Sequence, residues 1–207
     1  MIAYKTSLDK SITEREALAL GQYTKLFYDN GLLVREEEYF KSKLSTETIH
    51  NNDNEEHQVL LKKYPEAMIA DHIAYTNGYR LKTIYSYEER DKLYFTSNCL
   101  YDPNDIEVAV ETIINAENDE IQYRSKEYWD LEKSPKKELF ETEYDADNEI
   151  VLYLYFNEEH YNNSGQDAFA LGLDEIEKVI QLAGISAELA IYYFTPDVVP
   201  NWEKYSK

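Results

Sequence analysis

The sequence is poor in the residues that most often carry covalent or metal chemistry. Cys99 is the only cysteine among 207 residues, which rules out an internal disulfide and makes a reducing compartment the simplest inference. The four histidines lack the spacing of a zinc site, and a single cysteine cannot complete a thiolate site. The chain has neither a glycine-rich phosphate loop nor a nucleophile elbow. The sequence therefore predicts no metal ion, no cofactor and no catalytic residue.

Long apolar runs are also missing. A membrane-spanning helix needs about 20 consecutive apolar residues, and no stretch of this chain approaches that length. Residues 1–6 lack the apolar segment of a signal peptide. These features predict a cytoplasmic protein that does not bind a membrane.

Positive charge is scarce. Lys and Arg number 21 against 41 Asp and Glu, which gives a formal net charge of −20. Nucleic acids and anionic membranes are polyanions, so this charge argues against unaided binding to either. It favours a basic protein partner, or it serves only to keep the protein in solution.

Tyrosine is unusually abundant, with 20 residues in the chain. A tyrosine side chain favours β-strands and has a polar tip, so it suits a half-buried sheet face or a binding surface. Hydrophobic residues make up 43% of the chain, which predicts a folded protein with a real core.

Turn signals divide much of the chain into β-hairpins. Asn30-Gly31 is a strong signal for a two-residue type I′ turn, because both residues accept a positive φ at low cost. We expect this turn to join strands over residues 22–28 and 32–44, and Asn77-Gly78 to lie in a second hairpin over residues 68–87. Side-chain patterns predict further strands over residues 92–100, 120–129, 138–144, 150–156 and 188–194.

Helix signals occur at four places. Residues 13–20 are expected to form a short helix, and Asn54 is expected to cap a helix that runs through residue 64. Asp102-Pro103 predicts a third helix through residue 116, because Asp is a good N-cap and Pro suits the first helical position. A fourth helix is expected over residues 164–184.

These elements predict an α+β fold. We expect one or more antiparallel, aromatic-rich β-sheets built from hairpins, with about three helices packed on one side. No Pro/Gly/Ser-rich linker marks a boundary, so a single domain over residues 1–207 is expected; two halves, 1–117 and 118–207, are the alternative.

Three isolated features resemble functional sites, and each has a plainer interpretation. His57 follows two glutamates, but no second histidine follows at zincin spacing, so a solvated helix residue is expected. The acidic segment 145–149 lacks the glycine and the bidentate glutamate of an EF-hand, which favours a hairpin turn. Cys99 has no basic neighbour in sequence to lower its pKa, so a structural thiol is expected.

The segment Phe27-Tyr28-Asp29-Asn30-Gly31-Leu32-Leu33-Val34-Arg35-Glu36-Glu37, echoed over residues 75–83, resembles the MORN-like repeat of bacterial antitoxin-type proteins. Those repeats carry an aromatic-Tyr-x-Asn-Gly-x-Leu hairpin followed by a basic residue and an acidic strand. The resemblance implies a toxin-neutralising or other interaction role. It transfers no catalytic residue to this chain.

The leading hypothesis is therefore a cytoplasmic bacterial immunity protein or antitoxin that masks a basic toxin domain, for example a nuclease domain. Acidic side chains would steer the partner and tyrosines would supply contact area. Carboxylates on a sheet could also imitate the phosphates of a nucleic acid. A carboxylate- or metal-dependent enzyme and a structural or regulatory module without ligand are the alternatives. The predicted partner-binding residues are Asp29, Glu36, Glu37, Glu38, Glu88, Glu89, Glu141, Glu143, Asp145, Tyr153 and Tyr155.

Overall fold

The computed structural model describes residues 1–6, 10–88, 92–114, 120–129, 138–144, 150–155, 168–171 and 186–200. The chain divides into two compact units. Unit 1 contains Met1–Ile73, Lys82–Thr96 and Asn115–Glu117, and unit 2 contains Ala74–Leu81, Ser97–Ile114 and Asn118–Lys207.

Most of the described residues lie in β-strands, and the three described helices are short. The helices are α1 (Glu14–Leu20), α2 (His57–Lys63) and α3 (Ala187–Tyr193). None of the three has the length and hydrophobicity needed to cross a bilayer. The strands are β1 (Ile2–Lys5), β2 (Ser11–Ile12), β3 (Gln22–Asp29), β4 (Leu32–Phe40), β5 (Lys43–His50), β6 (Met68–Ala74), β7 (Arg80–Glu88), β8 (Lys92–Tyr101), β9 (Glu107–Ile114), β10 (Glu120–Trp129), β11 (Glu138–Tyr144), β12 (Ile150–Tyr155) and β13 (Ala168–Leu171).

The strands of unit 1 are hydrogen-bonded in the order β2-β1-β3-β4-β5-β6, with β6 followed by β7 and β8. The pairs from β1 to β5 are antiparallel, whereas β5 and β6 are parallel. Helix α2 lies in the connection between these two parallel strands, since parallel neighbours require a crossover. Helix α2 also contributes Leu60 and Leu61 to the buried core of unit 1, where they join Ile49, Ala67 and Ile69.

The turns of unit 1 confirm one prediction and correct another. Asn30 and Gly31 have φ values of 48° and 85° and join β3 to β4, as the type I′ signal predicts. The single strand expected over residues 32–44 is wrong, because the chain reverses at Lys41 and Ser42. These residues have φ values of 51° and 58°, which neither favours, so local residue preferences did not predict this turn.

Helix α1 forms as expected. Thr13 accepts a hydrogen bond from the backbone N–H of Glu16, whose carboxylate accepts one from the backbone N–H of Thr13 at 2.8 Å. Gly21 ends the helix with a φ of 68°. The expected cap of α2 is wrong: that helix begins at His57 and its N-cap is Glu56, which makes no side-chain capping hydrogen bond.

In unit 2, β8 is followed in hydrogen-bonded order by β9, β10, β11, β12 and β13. The pairs from β9 to β13 are antiparallel, and they include the predicted hairpin of β11 and β12. Asn77-Gly78 also lies in a turn as predicted, but of another type: the N–H of Gly78 donates to the carbonyl of Tyr75 at 3.0 Å and only Gly78 has a positive φ. Leu100, Val108, Ala109 and Val198 form the buried core of this unit.

The helix predicted from Asp102 is wrong. Asp102 Oδ1 accepts hydrogen bonds from the backbone N–H groups of Asn104 at 2.8 Å and Ile106 at 2.9 Å, so it closes a turn before β9. An Asx turn uses the same side-chain-to-backbone bonds as a helix N-cap, which explains the misleading signal. Five of the eight residues of β9 are β-branched, and such side chains lose freedom in a helix and fit a strand.

Two predictions near the C-terminus are also corrected. The strand expected over residues 188–194 is helix α3. Residues 168–171 of the helix expected over 164–184 form strand β13, and the rest of that helix lies outside the described residues. The expected antiparallel, tyrosine-rich sheet is thus confirmed, whereas a layer of about three helices on one side is not what the described residues form.

Candidate functional site

The three glutamates predicted on β4 have different environments. Glu38 is exposed, but Glu36 and Glu37 are largely buried and have partners inside unit 1. Glu37 accepts a hydrogen bond from the Tyr39 hydroxyl at 2.9 Å and forms an ion pair with Arg35 at 3.2 Å. Glu36 contacts His50 Nε2 at 3.1 Å. Two of the three carboxylates therefore hold the fold together.

The remaining predicted residues fall into three groups. Asp29 and Glu88 are exposed at strand ends of unit 1, while Glu141 and Glu143 are half-buried on β11. Glu89 and Asp145 lie outside the described residues, and only the backbone of Tyr153 and Tyr155 is described, as part of β12.

Glu141 and Glu143 belong to a patch that we name the acid–tyrosine face, which consists of Tyr123, Glu127, Glu141 and Glu143. The hydroxyl of Tyr123 donates a hydrogen bond to Glu141 Oε1 at 3.1 Å, and the ring of Tyr123 remains 39% exposed. Burial raises the pKa of Tyr123 to about 12, with a further contribution from Glu141, so the phenol stays neutral and keeps donating. Tyr123 and Glu127 were not among the predicted residues, although the alternation of side chains along β10 places them on the same face of the strand.

Strand register explains why these residues are neighbours. Glu127 lies directly opposite Glu141, and Glu143 lies opposite Ser125. On the other side of β11, Tyr153 is the register partner of Glu141. Directly opposed like charges cost about 0.2–1 kcal/mol, so the Glu127–Glu141 pair is unfavourable for folding by itself.

The other side of β10 and β11 is fastened to helix α3. Lys126 is fully buried, and its Nζ donates hydrogen bonds to the carbonyls of Tyr192 and Thr195. The hydroxyl of Tyr144 donates to the carbonyl of Tyr193. Both side chains thus satisfy carbonyls at the C-terminal end of α3, where positive charge is also favoured by the helix dipole. The acid–tyrosine face is consequently backed by an anchored helix.

Burial is the main influence on Lys126. Loss of water lowers its pKa to about 7, while Asp197 raises the pKa and Arg124 lowers it further. The ammonium group lies 3.8 Å from the centroid of the Tyr192 ring, an arrangement that favours the charged form. The neutral amine still has two N–H groups for its two carbonyl acceptors.

Several cations are used to neutralise carboxylates within their own unit. In unit 1, Arg35 bridges Glu37 and Glu47, which lie opposite each other on β4 and β5. In unit 2, Arg124 Nε donates to Glu111 Oε1 at 2.8 Å. These arginines are themselves largely buried, with 31% and 10% of their side chains exposed. Their charge is directed inward and does not offset acid on the surface.

The Arg124–Glu111 pair also borders a pocket of about 470 Å³ in unit 2. Asn98 Nδ2 donates to the second oxygen of Glu111 at 3.1 Å, so this carboxylate is hydrogen-bonded on both oxygens. The other lining residues are Leu81, Ile121, Pro196, Asp197, Val198 and Val199. The pocket lining is about equally polar and apolar, and three of its polar residues, Asn98, Glu111 and Arg124, are bonded to one another.

A buried polar cluster in unit 1 was not anticipated from the sequence. His50 Nδ1 lies 2.8 Å from His72 Nε2, and His50 Nε2 lies 3.1 Å from Glu36 Oε1. Burial raises the pKa of Glu36, but the hydrogen bond with His50 and the charge of Lys82 lower it more, to a net value of about 2. The cluster was missed because its residues come from separate strands and have no local motif.

His57 is more than the solvated helix residue that its sequence context predicts. Its Nδ1 lies 2.5 Å from the hydroxyl of Tyr87, and its Nε2 lies 3.0 Å from Asp71 Oδ2. Asp71 in turn accepts a hydrogen bond from Asn51 at 2.9 Å. Burial raises the pKa of Tyr87 to about 12, so its hydroxyl donates to the imidazole and is not an activated nucleophile. The network fastens the start of α2 to the sheet of unit 1.

Within the described ranges, no group of three or more His, Cys, Asp or Glu side chains is arranged to hold a metal ion. Cys99 is buried, with Ser97 Oγ at 3.7 Å from its sulfur. Comparison of the chain with protein-family models, curated proteins and solved structures found no match. The side chains described above are therefore the evidence for a function.

Proposed function

We propose that this protein binds a basic protein partner and neutralises it, as an immunity protein or antitoxin does with a toxin domain. The acid–tyrosine face carries the proposal. It places Glu127, Glu141 and Glu143 beside a tyrosine ring that is 39% exposed. Tyrosine supplies contact area at low entropy cost, and carboxylates attract and orient a cationic partner.

The geometry of the face suits recognition. The Tyr123 hydroxyl holds Glu141 in place, which reduces the side-chain entropy lost on binding. A guanidinium group fits best, because it can bind a carboxylate through two parallel hydrogen bonds and stack on a tyrosine ring.

The overall charge supports the same conclusion. The net charge is −20, and the buried or half-buried cations Arg35, Lys82 and Arg124 each lie within ion-pair distance of a glutamate inside the fold. Among the residues whose exposure the structure describes, exposed acids, such as Asp29, Glu38 and Glu88 in unit 1, outnumber exposed lysines and arginines. Such a field raises the association rate with a basic partner and weakens as salt is added.

Affinity capture with matched variants tests the proposal. The wild-type protein and a variant with E127Q, E141Q and E143Q are used as baits in lysate of the source cells and eluted with a salt gradient. A control variant with D53N, E56Q and E66Q loses the same charge from exposed positions of unit 1. We expect one basic protein to be retained by the wild type and the control, and to elute early from, or fail to bind, the face variant.

Competition with DNA for the purified partner then distinguishes a nucleic-acid mimic from another kind of immunity protein. A protein that imitates nucleic acid must compete directly with DNA for the partner, whereas another immunity protein can bind away from the nucleic-acid site.

Equal loss of binding in the face variant and the control would mean that net charge, and not this face, determines association.

An enzyme is the second candidate function, and the Glu36–His50–His72 cluster is the observation that favours it. A carboxylate held ionised beside an imidazole pair is an arrangement that acid–base catalysts use. A substrate must reach such a group, however, and only 3% of the His50 side chain is exposed. Catalysis at this cluster would require that H50Q abolish a measurable activity while the variant remains folded.

A further inference from the structure

The contact between His50 and His72 imposes a limit on how many protons this pair can hold. The contacting atoms, Nδ1 of His50 and Nε2 of His72, are 2.8 Å apart, and the two rings are nearly parallel with an interplanar angle of 7°. A hydrogen bond between two nitrogens contains one proton. One of the two atoms must therefore act as the acceptor and remain unprotonated.

The carboxylate of Glu36 determines which arrangement is favoured near neutral pH. It accepts a hydrogen bond from His50 Nε2, so a neutral His50 has its lone pair on Nδ1 and accepts the N–H of His72. A single additional proton is also tolerated, because a charged His50 can donate to both Glu36 and His72. A second additional proton places hydrogens on both contacting nitrogens and breaks their bond.

The charged groups around the pair make the second proton still less favourable. Glu36 of β4 provides the negative charge, but Lys82 of β7 lies 3.9 Å from the same oxygen, and Lys5 of β1 also acts on this carboxylate. On the other side of β6, Asp71 is occupied by His57 of α2. One carboxylate would thus have to balance two imidazolium ions and two lysines, with little access to water.

The position of the pair determines what acidification would open. His50 is the last residue of β5, and its register partner on the parallel strand β6 is Ala70. His72 lies two residues further along β6, so the imidazole contact adds to the pairing of the two strands past their last register pair. Asn51 also binds β6 there, since its N–H donates to the Ala70 carbonyl at 2.9 Å and its Nδ2 donates to Asp71 Oδ1 at 2.9 Å. Loss of the imidazole contact would therefore weaken the end of the β5–β6 pair.

We propose that the contact between His50 and His72 is an acid-sensitive switch, which strengthens the pairing of strands β5 and β6 near neutral pH and weakens it when both imidazoles are protonated. The switch does not depend on the proposed partner, and it acts through the stability of unit 1.

The test compares urea unfolding at pH 7.5 and pH 5.0 for the wild type and for H72Q. A glutamine amide can occupy the position of Nε2 and donate or accept, but it cannot become charged. The acid-induced rise in the unfolding constant is expected to be about tenfold larger in the wild type than in H72Q, which corresponds to one pKa unit of proton linkage.

H57Q is the control, since it removes another half-buried histidine of unit 1; it is expected not to reduce the acid response. Equal acid responses in the wild type and H72Q would overturn the proposal.

A second measurement uses only the wild type, so it does not depend on whether H72Q folds. Nitrogen-15 NMR of the imidazoles reports the protonation of each ring nitrogen, and amide exchange reports the opening of β5 and β6. Exchange in these strands should accelerate at the pH where both contacting nitrogens become protonated. Double protonation without faster exchange, or faster exchange before it, would overturn the proposal.

Discussion

Glu36 in unit 1 and Lys126 in unit 2 are both buried charged residues with a lowered pKa, yet the shift has opposite meanings. The pKa of Glu36 falls to about 2 because His50 and Lys82 outweigh the effect of burial, so folding favours its charged form. The pKa of Lys126 falls to about 7 because burial dominates, so folding disfavours its charge. The difference shows that a buried charge is stable only when its partners offset the loss of water.

Substitution E36Q should have the largest effect on stability. A pKa lowered from 4.5 to about 2 corresponds to about 3 kcal/mol of stabilisation at pH 7. Because the folded-state pKa is the lower one, this contribution is complete above the unfolded-state pKa and is lost as the pH falls towards 2. Urea unfolding should show a difference between wild type and E36Q that is about 2 kcal/mol larger at pH 7 than at pH 3. A pH-independent difference would mean that lost packing, and not charge, explains the effect.

Substitution K126M should remove a pH dependence of the same sign in a higher pH range. The folded-state pKa of Lys126 is about 7 against an ordinary value of 10.5, so the unfolded chain binds more protons between these pH values and stability rises with pH. This group should add about 2 kcal/mol to the free energy of unfolding between pH 7 and pH 9. Chemical unfolding at both pH values measures the gain, which K126M should lack. Parallel profiles for the two proteins would show that Lys126 is not desolvated.

Substitution Y144F should have an intermediate effect, because it removes only the hydroxyl that donates to the Tyr193 carbonyl. Loss of one such bond costs about 1 kcal/mol. Hydrogen exchange should accelerate in α3 more than in α1, which belongs to unit 1. An unchanged exchange rate in α3 would contradict the role of Tyr144 as an anchor of that helix.

Substitutions E141Q and E143Q should change stability least, within about 0.5 kcal/mol, because these half-buried side chains lie on a sheet surface. Thermal unfolding of each variant is the measurement. If E141Q and E143Q change the free energy of unfolding little and E36Q changes it strongly, Glu36 stabilises the fold, whereas Glu141 and Glu143 are available to a partner. Destabilisation by more than about 2 kcal/mol would place Glu141 and Glu143 with Glu36 as structural residues.

Local chemistry made part of the fold predictable. Asn30-Gly31 and the segment before Gly21 act through neighbouring backbone groups, so their turn and helix follow from a few residues. The same local reasoning failed at Asp102, because an Asx turn and a helix N-cap use the same bonds. It also failed at Lys41-Ser42, where the pairing of β4 with β5 and a hydrogen bond from the Ser42 N–H to the Gly21 carbonyl hold two exposed residues in a conformation that they do not favour.

The candidate site was only partly predictable, because charge does not reveal which way a side chain points. Glu36 and Glu143 look alike in sequence as acids on alternating strands, but Glu36 meets His50 and Glu143 lies on the face opposite the anchored helix α3. A shift of one residue in register would exchange these roles. Tyr123 belongs to the site because β10 pairs with β11, which brings its hydroxyl to Glu141, 18 residues away in sequence.

The sequence by itself determined the scarcity of positive charge, the absence of a disulfide, the tyrosine-rich strands and the strongest turns, since these depend on composition or on adjacent residues. Only the tertiary structure decided which carboxylates are neutralised internally and which face outward. It also brought His50 to His72, 22 residues away, because β5 and β6 are parallel neighbours, a pairing that no local signal predicted. Register and strand direction are set by the packing of distant residues, and that information is spread over the whole chain.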